Sequence, residues 1–195
     1  MKSIKTILTT EAMFSDDGKK RYLLKKVWKE KGPSLTIVML APSEAGGIVL
    51  DTTTQLVLNN AENLGFGSVM VVNLSPTVND FHLKAADDVE NQKIMAKAFK
   101  EAATIIYAAG VGKVKNKTFQ RLQEEVAELL RPHEAKLRCL CDAKGNSRLQ
   151  HPLSPAVRTW YISPLAVEEL LLEKPIEAVP ISLKLAKTTT GKREH

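Results

Sequence analysis

The sequence has 195 residues and a formal net charge of +6, with 44% hydrophobic and 26% charged residues. These values are typical of a globular chain with its own hydrophobic core, and they exclude an intrinsically disordered protein. A chain of this length folds without a disulfide or metal, and its aromatic content of 5% argues against a broad base-stacking surface. We therefore expect one domain spanning residues 1–195.

Basic residues cluster in the N-terminal third and near the C-terminus. Such clusters occur in proteins that bind a phosphate-bearing partner, here a nucleotide or a nucleic acid. The simpler interpretation of the first cluster, which includes Arg21 and Lys26, is a solvated strand face. The charge alone does not choose between these two interpretations.

Cys139 and Cys141 lie two residues apart in an apolar segment. In a strand this spacing places both thiols on one face, too far apart for an easy disulfide. Reduced thiols and no recognisable signal peptide predict a cytoplasmic protein. No apolar run approaches the roughly 20 residues that span a bilayer, so we expect no membrane role. The oligomeric state is left open.

The first predicted elements are two strands at residues 4–13 and 20–28, which form a hairpin around a turn at 15–18. Four apolar segments are predicted as core strands, at residues 35–40, 68–73, 104–108 and 136–141. Four segments are predicted as helices, at residues 51–64, 86–102, 117–131 and 164–173. From residue 175 the chain is expected to lie over the surface and to fray at its end.

The alternation of strands and helices is typical of right-handed βαβ units. We predict an α/β fold, a three-layer α/β/α sandwich with a mainly parallel four-stranded core sheet plus an N-terminal hairpin. The hairpin occupies residues 1–30, the core 34–173 and a C-terminal extension 175–195.

In open parallel sheets, ligands bind outside the carboxyl ends of the strands. The loop after the strand at 35–40 offers Ser43, Glu44 and Asp51 there. A carboxylate at this place orients a water as a general base, but Asp51 equally suits a helix N-cap. Asn73 ends an apolar strand, where its amide either reads a ligand edge or ties down the following loop.

The segment 110–113, Gly-Val-Gly-Lys, is not a P-loop, because Tyr107 replaces the first glycine and Val114 the Ser or Thr. Lys113 is followed by lysines at 115 and 117, at the start of a helix where cations oppose the dipole. A bound anion explains this placement; a solvated lysine face is the alternative.

The segment 151–155, His-Pro-Leu-Ser-Pro, is the most distinctive motif. Its prolines stiffen the loop and hold His151 where it can donate a hydrogen bond to charge developing on a leaving group. The alternative is a structural histidine. No His, Cys and carboxylate grouping has metal-ligand spacing, so we expect neither a metal nor another cofactor.

These segments, in this order, resemble a bacterial and phage family of domains of unknown function, number sixteen forty-three. The resemblance runs roughly from Tyr22 to Leu153. The family motifs N-P-S-T-A, D-D-P-T, V-V-N-L and R-H-P-L correspond to A-P-S-E-A, L-D-T-T, V-V-N-L and Q-H-P-L in this chain. The matching residues are Pro42, Ser43, Asp51, Thr53, Asn73 and His151, whereas the family's Arg before His is Gln150 and the first Asp is Leu50.

A more distant resemblance is to uracil-DNA glycosylases, whose base-reading Asn and late His loop are similar to segments 73–78 and 151–155. It implies a glycosylase-like enzyme acting on a nucleobase, a nucleotide or a modified nucleic acid. Glu44 or Asp51 would position water, Asn73 would read the base and His151 would stabilise the departing base. The remaining residues expected to contact substrate are Pro42, Ser43, Thr53, Lys113 and Ser154.

Two alternatives stay open. One is a nucleotide- or nucleic-acid-binding module without catalysis, which the altered first loop favours. The other is a small-molecule hydrolase that uses Ser43 with His151, although the chain has no G-x-S-x-G motif.

Overall fold

A computed structural model describes residues 1–44, 46–80, 82–83, 88–110, 116–146 and 149–172. Within these ranges one sheet contains seven strands, β1 Thr9–Phe14, β2 Arg21–Val27, β3 Ser34–Met39, β4 Ser68–Asn73, β5 Thr104–Tyr107, β6 Leu137–Cys141 and β7 Tyr161–Pro164. The same ranges contain four α-helices, α1 Thr52–Asn63, α2 Val89–Glu101, α3 Lys117–Leu130 and α4 Val167–Leu170. The predicted C-terminal extension, 175–195, lies outside the described residues.

The sheet is mixed, with the strand order β1-β2-β4-β3-β5-β6-β7. Strands β4, β3, β5 and β6 run parallel, β1 and β2 add antiparallel to one side, and β7 pairs antiparallel with β6 on the other. The α/β class is confirmed. The sandwich built on a four-stranded, mainly parallel sheet is not the observed architecture, because the hairpin joins the main sheet through β2 and an unpredicted strand closes its far side.

The last predicted helix, at residues 164–173, is also corrected. Its first predicted residue, Pro164, is the last residue of β7, Tyr161–Pro164, and α4 contains only residues Val167–Leu170. Tyr161 and Ile162 are residue types that favour strands, and pairing with β6 satisfies the backbone groups on that side of the sheet.

Apolar strands pack on both faces of the sheet, because successive side chains point to opposite sides. Along β4, Met70 and Val72 pack with residues of α2 and α3, whereas Val69 and Val71 pack with residues of α1. By the same alternation Asn73, the last residue of β4, points towards the α1 face.

A β-bulge in the hairpin determines where Arg21 points. Met13 pairs with Leu23 but Phe14 pairs with Arg21, so Tyr22 is an extra residue on β2. Tyr22 and Leu23 consequently both pack against the α2 and α3 side, while the Arg21 guanidinium reaches the loop after β3. A bulge of this kind re-aims a side chain without changing the strand's length.

The interpretation of the first basic cluster as a solvated face is wrong for two of its residues. Arg21 is 2% exposed and Lys26 is 3% exposed. The Lys26 ammonium donates to Thr10 Oγ1 at 3.0 Å and to the Gly47 carbonyl at 2.9 Å. Both cations therefore face protein atoms beneath the loop that follows β3.

Cys139 and Cys141 are buried and are not joined by a disulfide, as their spacing predicts. Over the described part of the chain, every helix is too short or too polar to traverse a lipid bilayer.

We predict that Gly67→Ala destabilises the protein by about 1–3 kcal/mol, the usual penalty for overpacking. A Cβ at this position would lie 2.7 Å from the Cα of Gly32 and would clash with the Lys29 carbonyl. Urea denaturation measures the change. Gly47→Ala is the matched control, since a Cβ there meets no atom within 4 Å and should alter stability by less than about 0.5 kcal/mol. Equal stability of the two variants would show that the backbone at Gly67 has room for a Cβ.

Candidate functional site

The loops that follow β3 and β4 are joined at the carboxyl edge of the sheet. Leu74 N donates to Met39 O at 2.8 Å, and Asn79 N donates to Pro42 O at 2.8 Å. Asn79 adopts a left-handed conformation, φ 59°, which turns the loop back towards Pro42. We call the group Arg21, Ser43, Asp51, Asn73 and His151, which lies at or beneath this edge, the rim site.

Asp51 has two contacts at the start of α1. Its Oδ1 accepts a hydrogen bond from Thr54 N at 2.6 Å, which confirms the helix N-cap. The Ser43 hydroxyl donates to the other carboxylate oxygen. Burial acts to raise the pKa of Asp51, but the bonds from Ser43 and Thr54 and the charge of Arg21 outweigh it. The net effect is a pKa below the ordinary value, so Asp51 is ionised near neutral pH.

Arg21 reaches the same loop from the neighbouring hairpin. Its Nη1 donates to the Ser43 carbonyl at 3.3 Å. Burial lowers the pKa of Arg21 and the negative charge of Asp51 acts in the opposite direction. Because a guanidinium is a very strong base, Arg21 stays charged. The sequence does not mark Arg21 as a site residue, since neither its neighbours nor its spacing signals the bulge that turns it inward.

His151 is held by the turn that its motif predicts. Its Nδ1 accepts from Leu153 N at 3.2 Å, and its carbonyl accepts from Ser154 N at 2.8 Å. Because Nδ1 is an acceptor, a neutral ring carries its proton on Nε2. Burial lowers the pKa of His151, and the charge of Asp51 partly opposes that shift. Near neutral pH the imidazole is therefore neutral and donates from Nε2.

The loop after β6 meets the end of β5 at His151. A Cβ placed on Gly110 would lie 3.7 Å from the His151 Cβ, and Gly110 has a φ of +86°. The chain therefore leaves β5 in a conformation that favours glycine and passes beside the histidine. The sheet order brings β5 next to both β3 and β6, which explains why His151 lies close enough to Asp51 for their charges to interact.

Asn73 is 0% exposed, and neither its Oδ1 nor its Nδ2 has a hydrogen-bond partner among the described residues. The following loop is instead tied down through backbone atoms, because Asn91 Nδ2 donates to the Asn73 carbonyl at 3.0 Å and to the Leu74 carbonyl at 3.4 Å. A buried carboxamide without a partner costs about 1–3 kcal/mol. Such a group calls for an explanation, and a ligand or ordered water would satisfy it.

Other predicted site residues have different surroundings. Glu44 is exposed and accepts from Asn79 Nδ2 at 3.0 Å, away from the Ser43–Asp51 pair. Pro42 is buried, and Thr53 is half-buried in the first turn of α1. The half-buried Ser154 follows the His151 turn.

Lys113 lies outside the described residues, so its predicted role stays a prediction. In the described ranges, no three His, Cys, Asp or Glu side chains come together as a metal-binding group.

Fold and site together define a class: a mixed α/β protein with buried and half-buried polar side chains at the carboxyl ends of parallel strands. Residues 21–153 match the family described as protein of unknown function (DUF1643), and the chain belongs to that family. No curated protein matches the sequence. The matched segment begins at Arg21 and ends at Leu153, so it contains every residue of the rim site. The resemblance to uracil-DNA glycosylases stays a prediction.

We predict that Asp51→Asn lowers the pKa of His151 further, because the carboxylate charge that opposes the effect of burial is lost. Asn is also a good N-cap, so α1 should be retained. A ¹H–¹³C NMR titration of the imidazole measures the change, with Glu44→Gln as the control carboxylate. An unchanged His151 pKa in Asp51→Asn would show that the two groups are not coupled.

The same shift gives a pH dependence of stability. The folded protein binds a proton at His151 less readily than the unfolded chain does. In the unfolded chain the pKa of a histidine is about 6.5. The contribution of His151 to stability is therefore complete above a pH of about 6.5 and declines as the pH falls through the lower, folded pKa.

Proposed function

We propose that the rim site binds the base of a nucleoside, a nucleotide or a nucleic acid, and that it hydrolyses the N-glycosidic bond of that ligand. The observation that carries this proposal is the carboxamide of Asn73, which is fully buried and whose two polar atoms have no partner within the described part of the chain. A primary amide offers a hydrogen-bond donor and an acceptor side by side. The edge of a nucleobase offers the complementary acceptor and donor. Pairing with a base would remove the penalty that the unliganded protein carries.

His151 supports the chemical part of the proposal. Cleavage breaks the carbon–nitrogen bond, the electron pair leaves with the base, and water adds to the sugar carbon and gives up a proton, which neutralises the departed base. A neutral imidazole with its proton on Nε2 can donate a hydrogen bond to negative charge on the departing base. It does so without a change in its own protonation state. Its Nδ1 is already occupied by Leu153 N, so the donor direction of the ring is fixed.

Asp51 contributes a fixed negative charge to this scheme. Both carboxylate oxygens accept hydrogen bonds, from Ser43 and from Thr54, and its pKa is lowered, so it is a weak proton acceptor. An ionised carboxylate stabilises the positive charge that develops on the sugar as the base leaves. Glu44, whose carboxylate contacts Asn79, is the remaining candidate for positioning water.

A base-binding module without turnover is the second candidate function. Both carboxylate oxygens of Asp51 already accept hydrogen bonds, so Asp51 is not available to activate water. This favours the binding module. A serine hydrolase ranks lower. Ser43 donates its hydroxyl to Asp51 and not to an imidazole, whereas a nucleophilic serine passes its proton to a histidine.

Base release from uracil- or lesion-bearing oligonucleotides and from free nucleosides tests the proposal. We expect release by the wild type and a fall of about 10²–10³-fold in His151→Ala, the loss typical of one charge-stabilising donor. His82→Ala is the matched control, because His82 is exposed and lies outside the rim site.

Binding measured on the same substrates separates the two candidates. Binding without base release would replace the enzyme with the base-binding module. Neither binding nor release would refute both.

We predict that Asn73→Leu stabilises the unliganded protein by about 1–2 kcal/mol, because it replaces an unsatisfied buried amide with an apolar side chain of similar size. The same change should abolish base binding. Thermal unfolding and a binding titration provide the two measurements. Asn91→Leu is the control: it deletes hydrogen bonds to the Asn73 and Leu74 carbonyls and should destabilise the protein. Destabilisation in both variants would mean that the Asn73 amide has a structural partner.

A further inference from the structure

The hairpin contributes a buried cation to a site that is otherwise built from the parallel strands. Arg21 is 2% exposed, so its guanidinium is shielded from solvent. One of its contacts with the rim is the bond from Nη1 to the Ser43 carbonyl. Through this bond Arg21 acts on the loop that follows β3.

Ser43 connects Arg21 to Asp51. The Ser43 carbonyl accepts from Arg21, while its hydroxyl donates to the Asp51 carboxylate. Asp51 in turn caps α1 through Thr54. This chain of contacts runs from β2 through the loop after β3 to the start of α1, and it crosses elements that are distant in sequence.

Asp51 is coupled to charged or titratable groups on two sides. Arg21 on β2 favours the ionised carboxylate, and the Asp51 charge in turn acts on the pKa of His151, in the loop after β6. Lys26, the other buried cation of β2, interacts with Arg21 and bonds to Thr10 and Gly47. Arg21 is thus the cation of the hairpin whose charge acts on the rim carboxylate.

We infer that Arg21 is a positioning residue of the rim site, which holds the loop after β3 through Ser43 and places a fixed positive charge beside Asp51. The hairpin is consequently a part of the site and not a separate appendage of the sheet. The consequence for ligand binding rests on the proposed function, whereas the effect on Asp51 does not. Arg21 adds to the interactions that keep Asp51 ionised and positions the Asp51 carboxylate through Ser43, and Asp51 in turn acts on His151.

The test is the pKa of the Asp51 carboxyl group in the full chain, followed by ¹³C NMR with labelled aspartate. Replacing Arg21 by Met should raise the Asp51 pKa, because the positive charge that favours the ionised carboxylate is lost. Lys26→Met is the matched control, because it removes the other buried cation of the same strand, and it should leave the Asp51 pKa unchanged.

Arg21→Gln is measured in parallel, since it removes the charge but keeps N–H donors for the Ser43 carbonyl. The same rise is expected in Arg21→Gln, so the test stands if Arg21→Met does not fold. A folded Arg21 variant with an unchanged Asp51 pKa would overturn the inference, and so would an equal rise in Lys26→Met. A merely structural arginine predicts lower stability without a change in that pKa.

Base binding is measured separately on the same variants, with the uracil-bearing oligonucleotide and uridine as probes. Weaker binding to Arg21→Gln than to Lys26→Met supports the positioning role. If the wild type binds neither probe while the Asp51 pKa still rises in the Arg21 variants, the proposed function fails and the electrostatic role of Arg21 stands.

Discussion

Ser43 joins the buried Arg21 to the half-buried Asp51, side chains of opposite charge, and the geometry of the rim depends on that connection. Its carbonyl accepts from Arg21 and its hydroxyl donates to Asp51. A buried cation or carboxylate is unfavourable unless its polar atoms are paired, so the loop after β3 must adopt the one path that serves both. Asp51 then caps α1, which fixes the start of the helix that covers one face of the sheet.

This connection depends on the antiparallel hairpin being part of the main sheet. Pairing of β2 with β4, Leu24 opposite Val71, brings Arg21 to the carboxyl edge of the parallel strands. The bulge at Tyr22 then turns the guanidinium towards Ser43. A regular strand would send alternate side chains to fixed faces, and Arg21 would point to the opposite side.

Two features of the rim differ from what stability alone would favour. Asn73 buries a carboxamide without a partner among the described residues, although an apolar side chain at that position would avoid the penalty. His151 is held in a neutral form with a defined donor atom, by burial and by the bond from Leu153 N. Functional sites commonly retain such local disadvantages, and the rest of the fold compensates for them.

The sequence by itself determined the α/β class, the four parallel strands, the cap at Asp51 and the turn that holds His151, because apolar periodicity, capping residues and prolines act over a few neighbouring residues. It identified Asn73 as a polar residue at a strand end but did not show that the side chain lacks a partner. The tertiary structure alone decided the mixed seven-stranded sheet, the strand β7 and the inward turn of Arg21. These depend on which strands pair and in what register, a choice made by contacts between segments far apart in the chain.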